Sequence, residues 1–108
     1  MSENKLKDFL KTGKDWARLR TSVNGVFVLK LPAYRSSPTR LAVELNPVDV
    51  EGRPKKRRGL ILRSSADFED FKELFQFDKL SKLLNILGSV NPKAVVARRG
   101  REEEVLEL

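Results

Sequence analysis

The apolar residues of this chain change their period once, near Ser64. Before it, VFVLKL (26–31), LAVEL (41–45) and GLILR (59–63) place apolar residues at the alternating positions of half-buried strands. After it, Phe68, Phe71 and Phe75, and then Leu80, Leu83, Leu84 and Leu87, recur at the three-to-four spacing of helices. A chain that lays down strands first and helices afterwards folds as α+β, with the helices on one face of an antiparallel sheet. Asn24-Gly25 offers the positive backbone angles of a tight hairpin turn between WARLRTSV and VFVLKL. A two-residue turn there would pair Val23 with Val26, Ser22 with Phe27, Arg20 with Leu29 and Arg18 with Leu31. Pro32 and Pro38 bracket a loop before the third strand, and Asn46-Pro47 and Gly52-Arg53-Pro54 separate the third from the fourth. Ser64 or Ser65 is placed to cap the first helix, with Asp67 and Glu69 near its positive end, and the second helix spans about 78–87, before Gly88. Both helical stripes read as core. The expectation is a four-stranded antiparallel sheet followed by two helices, a single small domain over residues 1–90. The extension 91–108 is left open as a short hairpin, a helix or a tail.

A chain of 108 residues with 40% hydrophobic residues buries one modest core. It has no cysteine and no histidine, which excludes disulfides, thiolate and zinc sites and the common general base. No metal, no cofactor and no catalysed reaction are therefore expected, and no nucleophile with a base beside it stands out. GRPKKRRG lacks the spacing and the terminal Lys-Ser/Thr of a phosphate-binding loop. No apolar run approaches the ~20 residues of a membrane span, and MSENKLKDFLKTGK lacks the apolar centre of a signal peptide, so a soluble cytoplasmic protein is expected. A charged fraction of 34%, a single Gln and no Met after the first residue follow the thermophile trend.

Lys and Arg outnumber Asp and Glu by 22 to 15, a surplus that draws polyanions. It is uneven: residues 35–63 carry eight basic and three acidic side chains, residues 64–90 three and five. Arg53, Lys55, Lys56, Arg57 and Arg58 fall within six positions, between two strands. The competing possibility for that cluster is a solvated loop that aids solubility. In the hairpin register above, one sheet face shows Trp16, Arg18, Arg20, Phe27, Leu29 and Leu31. The other shows Ala17, Leu19, Thr21, Val23, Val26 and Val28, and is the better candidate for contact with the helices. Guanidinium groups interleaved with rings on an open face suit a single strand, with cations for phosphates and flat surfaces for unpaired bases. The alternative for Trp16 and Phe27 is sheet or dimer core, with arginine stems covering them. Glu102, Glu103, Glu104 and Glu107 are either a partner-binding or self-inhibitory tail or a solvated charge run.

The run VELNPVDVEGRPKKRRGLILRSSADFEDFKEL resembles the core of the positive cofactor four family of transcriptional coactivators. Gly52, Pro54, Lys55, Lys56, Gly59, Ile61, Leu62, Phe68, Lys72 and Leu74 carry the likeness. It implies a four-stranded antiparallel sheet, dimerisation through helices, and single-stranded DNA held along a basic β-ribbon. In length, order of elements and composition the chain is also similar to the archaeal single-stranded DNA-binding family called ThermoDBP, which implies the same ligand. The expected function is single-stranded DNA binding with little sequence preference. Phosphate contacts are expected from Arg53, Lys55, Lys56, Arg57 and Arg58, assisted by Arg18, Arg20, Arg35 and Arg40; stacking is expected from Trp16, Phe27 and Tyr34. RNA binding, or a non-catalytic protein-interaction subunit of a replication or transcription assembly, is the alternative. Helices rich in Phe and Leu lead to the expectation of a homodimer or higher homo-oligomer.

Overall fold

The computed structural model describes residues 3–92. Its elements run α1 (Glu3–Thr12), β1 (Arg18–Arg20), β2 (Val26–Leu31), β3 (Arg40–Leu45), β4 (Leu60–Leu62), α2 (Ser65–Phe75) and α3 (Asp78–Val90). The strands form one antiparallel sheet in the order β1-β2-β3-β4. The α+β architecture is the one the change of period demands. The described residues fall into two compact units, divided within α2 between Lys72 and Glu73. The extension expected over 91–108 lies outside the described residues from position 93 on.

The helix α1 is an addition to the expected elements. Leu6, Phe9 and Leu10 give it a short apolar stripe, and Gly13 closes it by donating its N–H to the Phe9 carbonyl at 2.9 Å. Lys30, buried in β2, sends its Nζ to the Gly13 carbonyl at 2.7 Å, placing a cation at the negative end of the helix. At α2 the Ser64 Oγ accepts the Asp67 N–H at 3.2 Å, and the Asp67 carboxylate reaches back to the Arg63 N–H at 2.9 Å, so Ser64 is the cap. The helix α3 does not stop before Gly88 as expected; it continues to Val90. Its end is set by Pro92, which drives Asn91 into extended geometry at φ −70, ψ 146.

The β1–β2 register is two residues away from the expected one: Arg18 lies opposite Leu29 and Arg20 opposite Phe27. The turn is wider than Asn24-Gly25 alone. Thr21 Oγ1 donates to the Val26 carbonyl at 2.7 Å and accepts the Val23 N–H at 3.2 Å, and Val26 closes back on Val23 at 3.1 Å. Because side chains alternate with a period of two, an even shift leaves each residue on its expected face.

The sheet's core, however, lies on the face expected to be open. Phe27, Leu29, Leu31 and Ala42 are buried there, with Ile61 packed against them. The opposite face carries Val28, Leu41, Val43, Leu45 and Leu62, bordered by Leu6 of α1 and Phe68 of α2; together they line an apolar groove of about 530 Å³. Leu6 and Phe68 thus flank the expected face without sealing it. The core reading of the helical stripes is also corrected: neither α2 nor α3 buries a residue, and Phe75, Leu83, Leu84 and Ile86 each remain more than half exposed.

Candidate nucleic-acid interface

The chain between β3 and β4 begins as a small hairpin. Val48 bridges Pro54, Asp49 N–H donates to the Arg53 carbonyl at 2.8 Å, and Lys55 N–H to the Pro47 carbonyl at 2.7 Å. Asp49 builds the turn. Its Oδ1 accepts the N–H groups of Glu51 and Arg53, both at 2.9 Å, while Gly52 takes φ +83, a conformation open to glycine at little expense. Those backbone N–H bonds, with Arg53 beside them, hold the Asp49 carboxyl below its ordinary range. The segment then returns through Lys56, Arg57 and Arg58 to Gly59, which passes so close to Leu45 that an added Cβ would overlap the Leu45 carbonyl.

This basic ribbon covers the buried face of the sheet. Arg20 donates to the Gly52 carbonyl at 2.9 Å and Arg18 to the Arg57 carbonyl at 2.7 Å. Asn46 binds Lys56 twice, accepting its N–H at 3.1 Å and donating to its carbonyl at 2.8 Å. At the centre sits Glu44, whose side chain is fully buried. It takes Nε and a terminal nitrogen of Arg18 at 2.5 and 3.1 Å, Asn46 Nδ2 at 3.1 Å and the Gly59 N–H at 2.7 Å. Burial alone would raise the Glu44 pKa, but the bonds from Arg18, Gly59 and Asn46 outweigh it and bring it to about 2. The same pairing raises Arg18 above its ordinary value.

Lys55, Lys56 and Arg57 have exposed side chains, and no ion pair engages them among the described residues. Arg53 is exposed but paired with Asp49 at 3.2 Å and Glu51 at 2.7 Å. Arg58 lies over the Trp16 ring at 4.2 Å from its centroid. Arg35 lies over Tyr34 at 5.0 Å, beside a turn in which Tyr34 and Ser37 pair, and Arg40 reaches the Pro38 carbonyl at 3.3 Å.

One of these expectations is corrected. Phe27 is only 4% exposed, so it offers no face to a base; it is core beneath the ribbon. Arg18 is engaged by Glu44 and the Arg57 carbonyl, and Arg20 is exposed with a terminal nitrogen on the Gly52 carbonyl. Trp16 and Tyr34 keep exposed rings, at 41% and 64%.

Trp16 is not a strand residue. Trp16 N–H donates to the Lys30 carbonyl at 2.7 Å, and the Ala17 carbonyl accepts the Lys30 N–H at 3.0 Å, so two residues oppose one in a bulge. Trp16 holds φ +69 at the position such bulges usually give to glycine, a strained conformation for a bulky side chain. Its ring and Tyr34 lie toward the same end of the sheet, since Trp16 sits opposite Lys30 and Tyr34 follows the end of β2. Glu44 and Asn46 were missed as part of this site. The signal was an acidic residue at the same-face position after Ala42 in LAVEL, where a charge must find a partner.

Comparison with known protein families, with curated proteins and with solved structures finds no match to this chain. No described helix is long and apolar enough to cross a membrane. Among the described residues no group of His, Cys, Asp and Glu is gathered as a metal would need.

Proposed function

We propose that the sheet unit binds single-stranded DNA with little sequence preference. The observation that carries this reading is a basic ribbon whose backbone is tethered while Lys55, Lys56 and Arg57 extend free of ion pairs among the described residues. Cations held on a fixed track suit phosphates, and Trp16 and Tyr34, each beside a guanidinium, suit unpaired bases. Arg35, Arg40, Arg53 and Arg58 would add to the track. A polarisation titration tests it: a dT oligomer should bind at least about tenfold tighter than a duplex of equal length. Replacing Lys55, Lys56 and Arg57 together with Ala should flatten the dependence of log affinity on log salt by ~0.7 for each lost phosphate contact. Equal affinity for both forms would leave charge attraction without stacking. A ribonucleotide oligomer in the same titration separates an RNA-binding module from a DNA-binding one.

The exposed stripe of Leu80, Leu83, Leu84 and Leu87 on α3 favours a second feature, assembly into a homodimer or higher oligomer. Light scattering of the full chain should give a multiple of 12.3 kDa at micromolar concentration. A monomer mass would overturn that feature and leave the ribbon's role untouched.

A further inference from the structure

We propose that Arg18, Arg20, Glu44 and Asn46 form a clamp that fixes the ribbon in its binding form, with Glu44 as the positioning residue. The proposal rests on the nucleic-acid reading for its purpose, but not for its structural test. Four points of ribbon backbone, at Gly52, Lys56, Arg57 and Gly59, are each bonded by a side chain at an inward position of β1, of β3 or immediately after β3. A loop that only raised solubility would have no need of these anchors.

The chemistry of the clamp depends on its one carboxylate. The cluster Lys55–Arg58 lies over a face that already presents Arg18 and Arg20, a like-charge arrangement that would push the ribbon away. Glu44 offsets it from inside the sheet. By accepting two Arg18 bonds it turns the guanidinium so that a terminal nitrogen also reaches the Arg57 carbonyl at 2.7 Å. By accepting Asn46 Nδ2 at 3.1 Å it also fixes the amide that holds Lys56 on both sides. Lysine in place of Arg18 could meet Glu44 or the Arg57 carbonyl but lacks the planar fork that serves both. The strand arginines therefore act on a ligand through the ribbon.

Limited trypsin digestion of the ligand-free full chain reads the clamp directly, because the ribbon carries cleavable bonds at Lys55, Lys56, Arg57 and Arg58, while Lys30 in β2 and Arg40 in β3 report unfolding of the same sheet unit. Arg18→Lys, Asn46→Ser and Glu44→Gln should each speed cleavage at the ribbon at least about tenfold, as expected for loss of a charged or buried hydrogen bond, with the Lys30 and Arg40 sites unchanged. Arg20→Met, outside the buried network, should do so more weakly, and it decides the matter with Arg18→Lys if Glu44→Gln does not fold. Ribbon cleavage at the parental rate, or equal acceleration at every site, overturns the clamp. With a dT oligomer as probe, the released variants should bind about tenfold more weakly with the parental salt slope, since their ribbon cations are intact. Parental affinity in a variant with a released ribbon overturns the positioning role. If the parent itself binds no dT oligomer, the nucleic-acid reading fails and the cleavage pattern still judges the clamp.

Discussion

The two faces of this sheet are built from the same strands and fill opposite roles. The face that presents Arg18, Arg20 and Glu44 is the buried one, with Leu29 and Glu44 both at 0% exposure. The face lined by Val28, Val43, Leu45 and Leu62 is apolar yet open, with Val43 and Leu45 more than a third exposed. Ranking faces by hydropathy would invert them. The difference arises because the ribbon that seals the first face is itself polar backbone and must be bonded: charged side chains at inward positions satisfy its carbonyl and N–H groups. Among the described residues the second face is bordered by Leu6, Phe68 and, at the start of α2, Arg63, Ser64 and Ser65, and its apolar flanks bring no such demand.

The largest test of this contrast is removal of the buried charge. Glu44→Ala leaves Arg18 unpaired at the edge of the core and should lower unfolding free energy by about 3–5 kcal/mol. Val43→Thr, one position earlier but on the open face, should stay within about 1 kcal/mol. Urea titrations of the two variants make the comparison, and equal losses would break the distinction between the faces. Leu29→Ala and Leu45→Ala repeat it with purely apolar groups. The first should lose about 3 kcal/mol through cavity formation, the second about 1 kcal/mol or less. A loss above ~2 kcal/mol at Leu45 would show that the open face is covered in solution, which would sharpen the case for self-association.

Acid should act on one face only. Glu44 has its folded pKa brought from 4.5 to about 2, so its contribution is fully present above the unfolded value and is lost as pH falls through the folded one. Stability on the order of 3 kcal/mol should therefore disappear between pH 4.5 and 2. Glu44→Gln should be markedly less sensitive over that window in the same denaturation series. A parental curve as flat as the variant's would mean that the carboxylate is not held as an ion.

The four antiparallel strands, a serine cap on α2 and the position of the basic cluster were legible, because each follows from a local signal: alternation in VFVLKL, Ser64 and Ser65 ahead of Asp67 and Glu69, or prolines between strands. What could not be read depended on contacts distant in sequence. The side chain of Thr21 widened the hairpin by bonding Val26, and only the evenness of the shift kept the faces right. The helix α1 is completed by Lys30, seventeen residues beyond Gly13. Trp16 and Phe27 look equivalent in the pattern of rings and cations, but the ribbon folds over Phe27 and the bulge turns Trp16 out of the strand. The candidate phosphate contacts could be listed from charge alone; which of them are structural required knowing that Glu44 points inward.

The smallest expected effect concerns that bulge, and it separates strain from stacking. Trp16 keeps φ +69 opposite Lys30, where a residue with a Cβ loses roughly 1–2 kcal/mol relative to one without. Trp16→Gly and Trp16→Ala both delete the ring that faces Arg58, so they should weaken dT binding equally, by ~1–3 kcal/mol if the indole stacks on a base. They should differ in folding. Although glycine gives up more chain entropy, the left-handed angle should leave Trp16→Gly more stable than Trp16→Ala by about 1 kcal/mol, a shift in urea midpoint without a change of slope. If alanine is the more stable of the two, the bulge does not hold its left-handed angle in solution, and Trp16 lies in the strand as the period of its neighbours first suggests.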